Sequence, residues 1–110
     1  MSGKRVHFWS DGLRLAGTFT PSEGANRQPA IICVHGYTGR LETYMPPFVR
    51  ELTACGWHTL DFWHRGFGES EGIRNRVDPE AQVRDILAAL IYVRQRPDVE
   101  PAKIAIMGLS

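Results

Sequence analysis

Lys103-Ile-Ala-Ile-Met-Gly-Leu-Ser110 is the stretch whose reading decides the fold. A charged residue opens a short apolar run without alternation. Such a run predicts a strand covered on both faces, as in a parallel sheet. It passes into Gly108-Leu109-Ser110, the first half of a G-x-S-x-G turn. In that turn a serine sits on a sharp strand-to-helix bend with its hydroxyl pointing out of the top of the sheet. Glycines flank the serine because a side chain there would clash. Only the first glycine, Gly108, is present here.

Upstream, the same pattern of apolar run then glycine-rich loop recurs twice. Ala30-Ile-Ile-Cys-Val34 is apolar throughout and leads into His35-Gly36-Tyr37-Thr38-Gly39. Trp57-His-Thr-Leu-Asp-Phe-Trp63 is more mixed and leads into His64-Arg-Gly-Phe-Gly-Glu-Ser-Glu-Gly72. Two helices separate these strands. Pro46-Pro47 suits a helix start, Phe48, Val49, Leu52 and Cys55 form an apolar stripe, and Gly56 is a natural stop. Asp78-Pro79-Glu80 reads as a cap, a first-turn proline and an acid at the positive end of the dipole. Val83, Ile86, Leu87, Leu90, Ile91 and Val93 follow at helical spacing, Glu80 stands four residues before Arg84, and Pro97 ends the helix. At the front, Ser10-Asp11-Gly12 between alternating runs predicts a hairpin forming a half-buried antiparallel edge. Pro21 to Pro29 reads as a polar loop. Hairpin, strand, helix, strand, helix, strand predicts an α/β fold. Its parallel sheet has helices on both faces and its loops gather at the carboxyl end.

Composition narrows the function. The 110 residues are ordinary globular material, 43% hydrophobic and 23% charged, which suggests one domain or part of one. A net charge of +1 with scattered Lys and Arg gives no nucleic-acid surface. The sequence shows neither a secretory h-region nor a membrane-length apolar run, and Cys33 and Cys55 form no C-x-x-C. The expectation is a cytoplasmic protein with buried free thiols and no membrane or nucleic-acid partner. The histidines lack metal-ligand spacing. The spacing of Gly66, Gly68 and Gly72 places Glu71 where a dinucleotide fingerprint needs glycine. Neither a metal nor a cofactor is expected.

Five segments carry a family resemblance: Phe8-Trp-Ser-Asp-Gly-Leu-Arg-Leu-Ala-Gly17, Val34-His-Gly-Tyr-Thr-Gly39, Arg65-Gly-Phe-Gly-Glu-Ser-Glu-Gly72, Gln82-Val-Arg-Asp85 and Ile104-Ala-Ile-Met-Gly-Leu-Ser110. In this order the chain resembles the N-terminal half of an α/β-hydrolase. It is most similar to the dienelactone-hydrolase, acetylxylan-esterase and Xaa-Pro-peptidase-like (S15/S9-related) branches. The resemblance implies that residues 1–110 are a partial α/β-hydrolase domain ending at the nucleophile. Ser110 would be the nucleophile and the Tyr37 N–H one oxyanion-hole donor, with His35, Gly36 and Gly108 supporting the loops. His35 would be structural, because the base follows the serine in this fold. The triad acid and histidine would lie beyond residue 110. The implied function is hydrolysis of an ester, thioester or amide bond in a small-molecule or peptide acyl substrate. The alternative is a non-catalytic binding or regulatory protein of the same fold. One departure stands out. Relatives carry an aspartate two residues before the Arg-Gly pair, whereas this chain has Trp63 there and its aspartate at Asp61. Arg65 is expected to tie its loop to nearby backbone. If the chain ends at Ser110, its last strand is an exposed apolar edge.

Overall fold

The computed structural model describes residues 3–24, 27–37 and 39–108. It contains β1 (Lys4–Ser10), β2 (Leu13–Thr20), β3 (Gln28–Val34), α1 (Leu41–Ala54), β4 (His58–Phe62), α2 (Pro79–Arg94) and β5 (Val99–Gly108). The strands form one sheet in the order β1-β2-β4-β3-β5. The pairs β1–β2 and β2–β4 are antiparallel, whereas β3–β4 and β3–β5 are parallel. This is the α/β architecture that the sequence predicts.

The sheet separates two apolar layers. Leu15, Phe19, Ile32, Leu60 and Phe62 face α2 and pack against Ala89 and Val93. Ala16, Ile31, Cys33 and Trp63 face α1 and pack against Leu41 and Met45. Ile31, Ile32 and Cys33, neighbours in β3, thus point to opposite layers in turn, as the pleat requires. Each large side chain removed from water contributes about 1.5–3 kcal/mol, so β3 and β4, buried almost throughout, anchor the sheet.

Several boundaries differ from the sequence reading. The hairpin turns at Asp11-Gly12, and of its two strands only β1 is an edge; β2 lies between β1 and β4 and is mostly buried. Helix α1 begins at Leu41, so Pro46 and Pro47 lie inside it. The missing proline N–H groups forgo bonds in the second turn, but Leu41 and Met45 hold the first turns against the sheet. The inward stripe is Leu41, Met45, Val49 and Leu52; Phe48 and Cys55 are exposed. The expectation of two buried thiols therefore holds for Cys33 alone. Burial pushes the Cys33 thiol up to about 12.

Helix α2 starts as predicted, with the Asp78 carboxylate accepting from the Ala81 N–H at 3.2 Å and Pro79 in the first turn. Its inward line is Ala81, Asp85, Ala89 and Val93, each four residues apart. Val83, Leu87 and Ile91, part of the predicted stripe, face outward; Leu87 is 51% exposed. Arg84 pairs with Asp11 at 2.6 Å rather than with Glu80. Strand β5 begins at Val99, ahead of Lys103, because Val99 pairs with Gln28 before the register shifts to Ala30–Ile104. It is the outer strand beside β3, and Ile106 is 53% exposed. The predicted cover on both faces of this strand is absent among the described residues.

Candidate active site

The carboxyl ends of the parallel strands β3, β4 and β5 lie side by side, with Val34 level with Phe62 and with Gly108. The loops carrying His35 to Gly39 and His64 to Gly72 therefore leave one end of the sheet, where open α/β folds place their sites. Gly108 ends β5 at that same end. Ser110, the candidate nucleophile, lies outside the described residues, as does Thr38.

His35 is buried and fixed by both ring nitrogens. Nδ1 lies 2.7 Å from the Gly36 carbonyl oxygen, and Nε2 accepts the His64 backbone N–H at 3.0 Å. A carbonyl only accepts and an N–H only donates, so the ring is neutral with its proton on Nδ1. Burial lowers its pKa, against the opposing effect of the Gly36 hydrogen bond.

The same contact orients a peptide unit. The Gly36 carbonyl also accepts from the Gly39 N–H at 3.1 Å. Peptide bonds here are trans among the described residues, so the Tyr37 N–H points opposite to that carbonyl. Among the described residues this N–H donates to nothing. The Tyr37 side chain is 78% exposed. Gly39 has φ +70°, and a side chain there would meet the Phe67 ring, so this loop needs a glycine at that position.

The loop after β4 is built around Asp85, which is fully buried. Its Oδ1 accepts from Arg65 Nη2 at 2.8 Å, and its Oδ2 accepts from the Arg65 backbone N–H at 3.0 Å. His64 Nδ1 lies 3.5 Å from Oδ2. Burial opposes ionisation of Asp85, but the contacts from His64 and Arg65 prevail and hold it well below the usual carboxylate range. Arg65 also reaches Ser10 Oγ at 3.2 Å and Asp11 Oδ2 at 2.8 Å. The guanidinium therefore ties the loop to side chains of the hairpin and of α2, rather than to the neighbouring backbone that the sequence reading expects. Sequence reasoning gave Asp85 no role. Its signal was the small-residue line Ala81–Asp85–Ala89, which brings α2 close to the sheet and buries whatever stands between the alanines.

Ser70 and Glu71 explain the rest of the glycine-rich motif. Beyond Gly17 the β2–β4 ladder ends, and the loop continues it. Ser70 Oγ accepts the Ala16 N–H at 2.8 Å and donates to the Trp63 carbonyl at 2.7 Å. The Glu71 carboxylate accepts the Arg14 N–H at 2.8 Å, and the Glu71 N–H donates to the Arg14 carbonyl at 2.9 Å. These bonds join the loop after β4 to β2. Among the described residues no group of His, Cys, Asp and Glu has the geometry of a metal site, and no helix is long and apolar enough to cross a membrane.

Comparison with known proteins agrees with this geometry. The model of the serine aminopeptidase S33 family matches residues 25–110. An uncharacterised 31.7 kDa Escherichia coli protein from the traX–finO intergenic region is 35% identical over 94% of this chain and 36% of its own length. The thiohydrolase aneE of Aspergillus aculeatus is 36% identical over 91% of this chain and 31% of its own. Among solved structures, the α/β hydrolase GrgF of Penicillium sp. sh18 superposes with a TM-score of 0.93 at 29% identity, covering 99% of this chain and 38% of that one. The chain thus spans about a third of the length of the curated relatives it matches. With its sheet order, its paired loops and these matches, the chain belongs to the serine aminopeptidase S33 family of α/β hydrolases.

Proposed function

We propose that this chain supplies the nucleophile and one oxyanion-hole donor of a serine hydrolase that cleaves ester or thioester bonds. Ser110 Oγ attacks the acyl carbonyl and displaces an alcohol or thiol, and water then clears the acyl-enzyme. The Tyr37 N–H receives the developing negative charge, an interaction worth about 3 kcal/mol in the transition state. The triad acid and histidine follow Ser110 in the longer protein, in the chain order of this fold. Ester and thioester cleavage is preferred over peptide cleavage because a thiohydrolase stands among the relatives at more than a third identity. The observation that carries the reading is the fixed Gly36–Tyr37 peptide, whose carbonyl is held on one side and whose N–H is free among the described residues.

The test uses the whole gene product. Turnover of p-nitrophenyl esters and acyl thioesters is measured beside Ser110→Ala, with mass spectrometry after a fluorophosphonate probe. The expected result is a probe adduct on Ser110 and loss of about 10⁴-fold or more in kcat in the variant. Unchanged turnover in Ser110→Ala overturns the proposal.

A further inference from the structure

Asp85 stands on α2, yet its carboxylate makes its hydrogen bonds with the loop after β4. Oδ2 accepts the Arg65 backbone N–H at 3.0 Å and lies 3.5 Å from His64 Nδ1. One residue earlier, the His64 N–H donates to His35 Nε2 at 3.0 Å. Two successive N–H groups of one loop are thus held by two different elements, Arg65 by α2 and His64 by the loop after β3.

The hold on His35 is more than one bond. The His64 and His35 rings meet edge-on with centroids 5.0 Å apart, and the Phe67 ring lies 5.2 Å from His35. The Phe67 N–H donates to the His64 carbonyl at 3.1 Å, so both neighbours of the imidazole belong to one tight turn. On its other side, His35 Nδ1 donates to the Gly36 carbonyl at 2.7 Å. The planar peptide carries that hold to the Tyr37 N–H. A continuous chain therefore runs from Asp85 through the His64–Arg65 backbone and the His35 ring to the Gly36–Tyr37 peptide. Each of its hydrogen bonds is 3.0 Å or shorter.

A buried ion pair adds little net stability over an apolar pair of the same volume, because desolvation offsets the attraction. What the fully buried Asp85 carboxylate supplies is direction: its two oxygens accept only along defined lines. We propose that Asp85 is a positioning residue for the oxyanion hole. It sets the turn at residues 64–67, the turn sets the His35 ring, and the ring sets the aim of the Tyr37 N–H. This rests on the reading of that N–H as the oxyanion donor. The consequence for catalysis is specific. A slightly displaced donor still admits the substrate but stabilises the developing oxyanion less, so kcat falls while KM is kept.

The test uses the whole gene product, with rates counted per fluorophosphonate-labelled site. Asp85→Asn, His35→Ala and the double variant are assayed with a p-nitrophenyl ester and the matching O-p-nitrophenyl thionoester. Sulfur in place of the carbonyl oxygen is larger and a weaker acceptor, so the ester-to-thionoester ratio of kcat reads the hole itself. Asp85→Asn should lower kcat for the ester about tenfold or more, keep KM within about twofold and lower the ratio. His35→Ala should do the same, and the double variant should be no slower than the slower single, because both cut one chain. Val99→Ala, buried where β5 begins at the far end of the sheet, controls for lost stability and should leave the ratio in place. A ratio that Asp85→Asn leaves unmoved overturns the proposal, as do multiplicative losses in the double variant. Should Asp85→Asn fail to fold, His35→Ala decides: a lowered ratio supports the chain and an unmoved one overturns it. Unchanged turnover in Ser110→Ala strikes the serine reading and this proposal together, whereas Ser110-dependent turnover with an unmoved ratio strikes the positioning role alone.

Discussion

His35 Nε2 accepts the backbone N–H of His64 at 3.0 Å, so the loops that follow β3 and β4 are joined through one imidazole ring. That bond needs a neutral ring. The pKa of His35 is lowered in the folded state, so the unfolded chain takes up its proton first as pH falls. The contribution of His35 is therefore complete above its ordinary value of about 6.5 and is lost as pH falls below it. His35→Ala should cost about 1–3 kcal/mol at pH 7.5, because it leaves the His64 N–H without its partner. The gap between the two proteins should narrow on acidification to pH 5. Urea midpoints across this range measure it.

Asp85 and Arg65 form a buried ion pair whose disruption leaves one charge stranded. Asp85→Ala should destabilise the protein by about 3–5 kcal/mol. The double variant Asp85→Ala/Arg65→Ala should cost clearly less than the sum of the singles, since each single already removes the shared bonds. Denaturation of the four proteins in a cycle gives the coupling. Additive losses would show that the pair acts independently.

Asp61 shows the opposite sign of linkage. With its folded pKa raised to about 6, its contribution is most favourable below the ordinary carboxylate value and is lost as pH rises through 6. That rise corresponds to a penalty on the order of 3 kcal/mol at neutral pH. Asp61→Asn should therefore raise the thermal midpoint at pH 8 and leave it nearly unchanged at pH 4.

The two faces of α2 should respond in opposite ways. Leu87→Gln changes an outward-facing position and should stay within about 0.5 kcal/mol of the parent. Ala89→Leu forces bulk into the fully buried line that contacts the sheet and should cost about 1–3 kcal/mol. Reversal of this order would mean that the helix faces the sheet with the other side.

The succession of strands and helices along the chain, the hairpin turn and the Asp78 cap were legible because each rests on local chemistry: apolar runs, an Asp-Gly pair, a carboxylate before a proline. The inward face of α2 was not. Its apolar residues outnumber its alanines, yet the close approach of helix to sheet fully buries Ala81, Asp85, Ala89 and Val93 while Ile86 and Leu90 pack only partly buried beside them. The start of α1 was missed for a related reason: Leu41 and Met45 hold turns that the two prolines argue against. At the candidate site the loop containing His35, Gly36 and Tyr37 was visible as a motif. Its connection to His64 was not, since the two histidines are brought together only by the parallel pairing of β3 and β4.

Arg65 reaches Asp11 across 54 residues of sequence, Ser10 across 55 and Asp85 across 20. Arg84 adds a fourth link to Asp11 across 73. The bonds to Ser10 and Asp11 need the hairpin in place and the bond to Asp85 needs α2, so the full set closes only when hairpin, β4 and α2 are assembled, late in folding. Interactions that form after the rate-limiting step slow escape from the native state more than they speed arrival. Arg65→Ala should therefore shift the unfolding arm of a stopped-flow chevron upward and leave the refolding arm almost in place. The guanidinium at the hairpin acts as a late-closing latch that sets how long the folded protein survives.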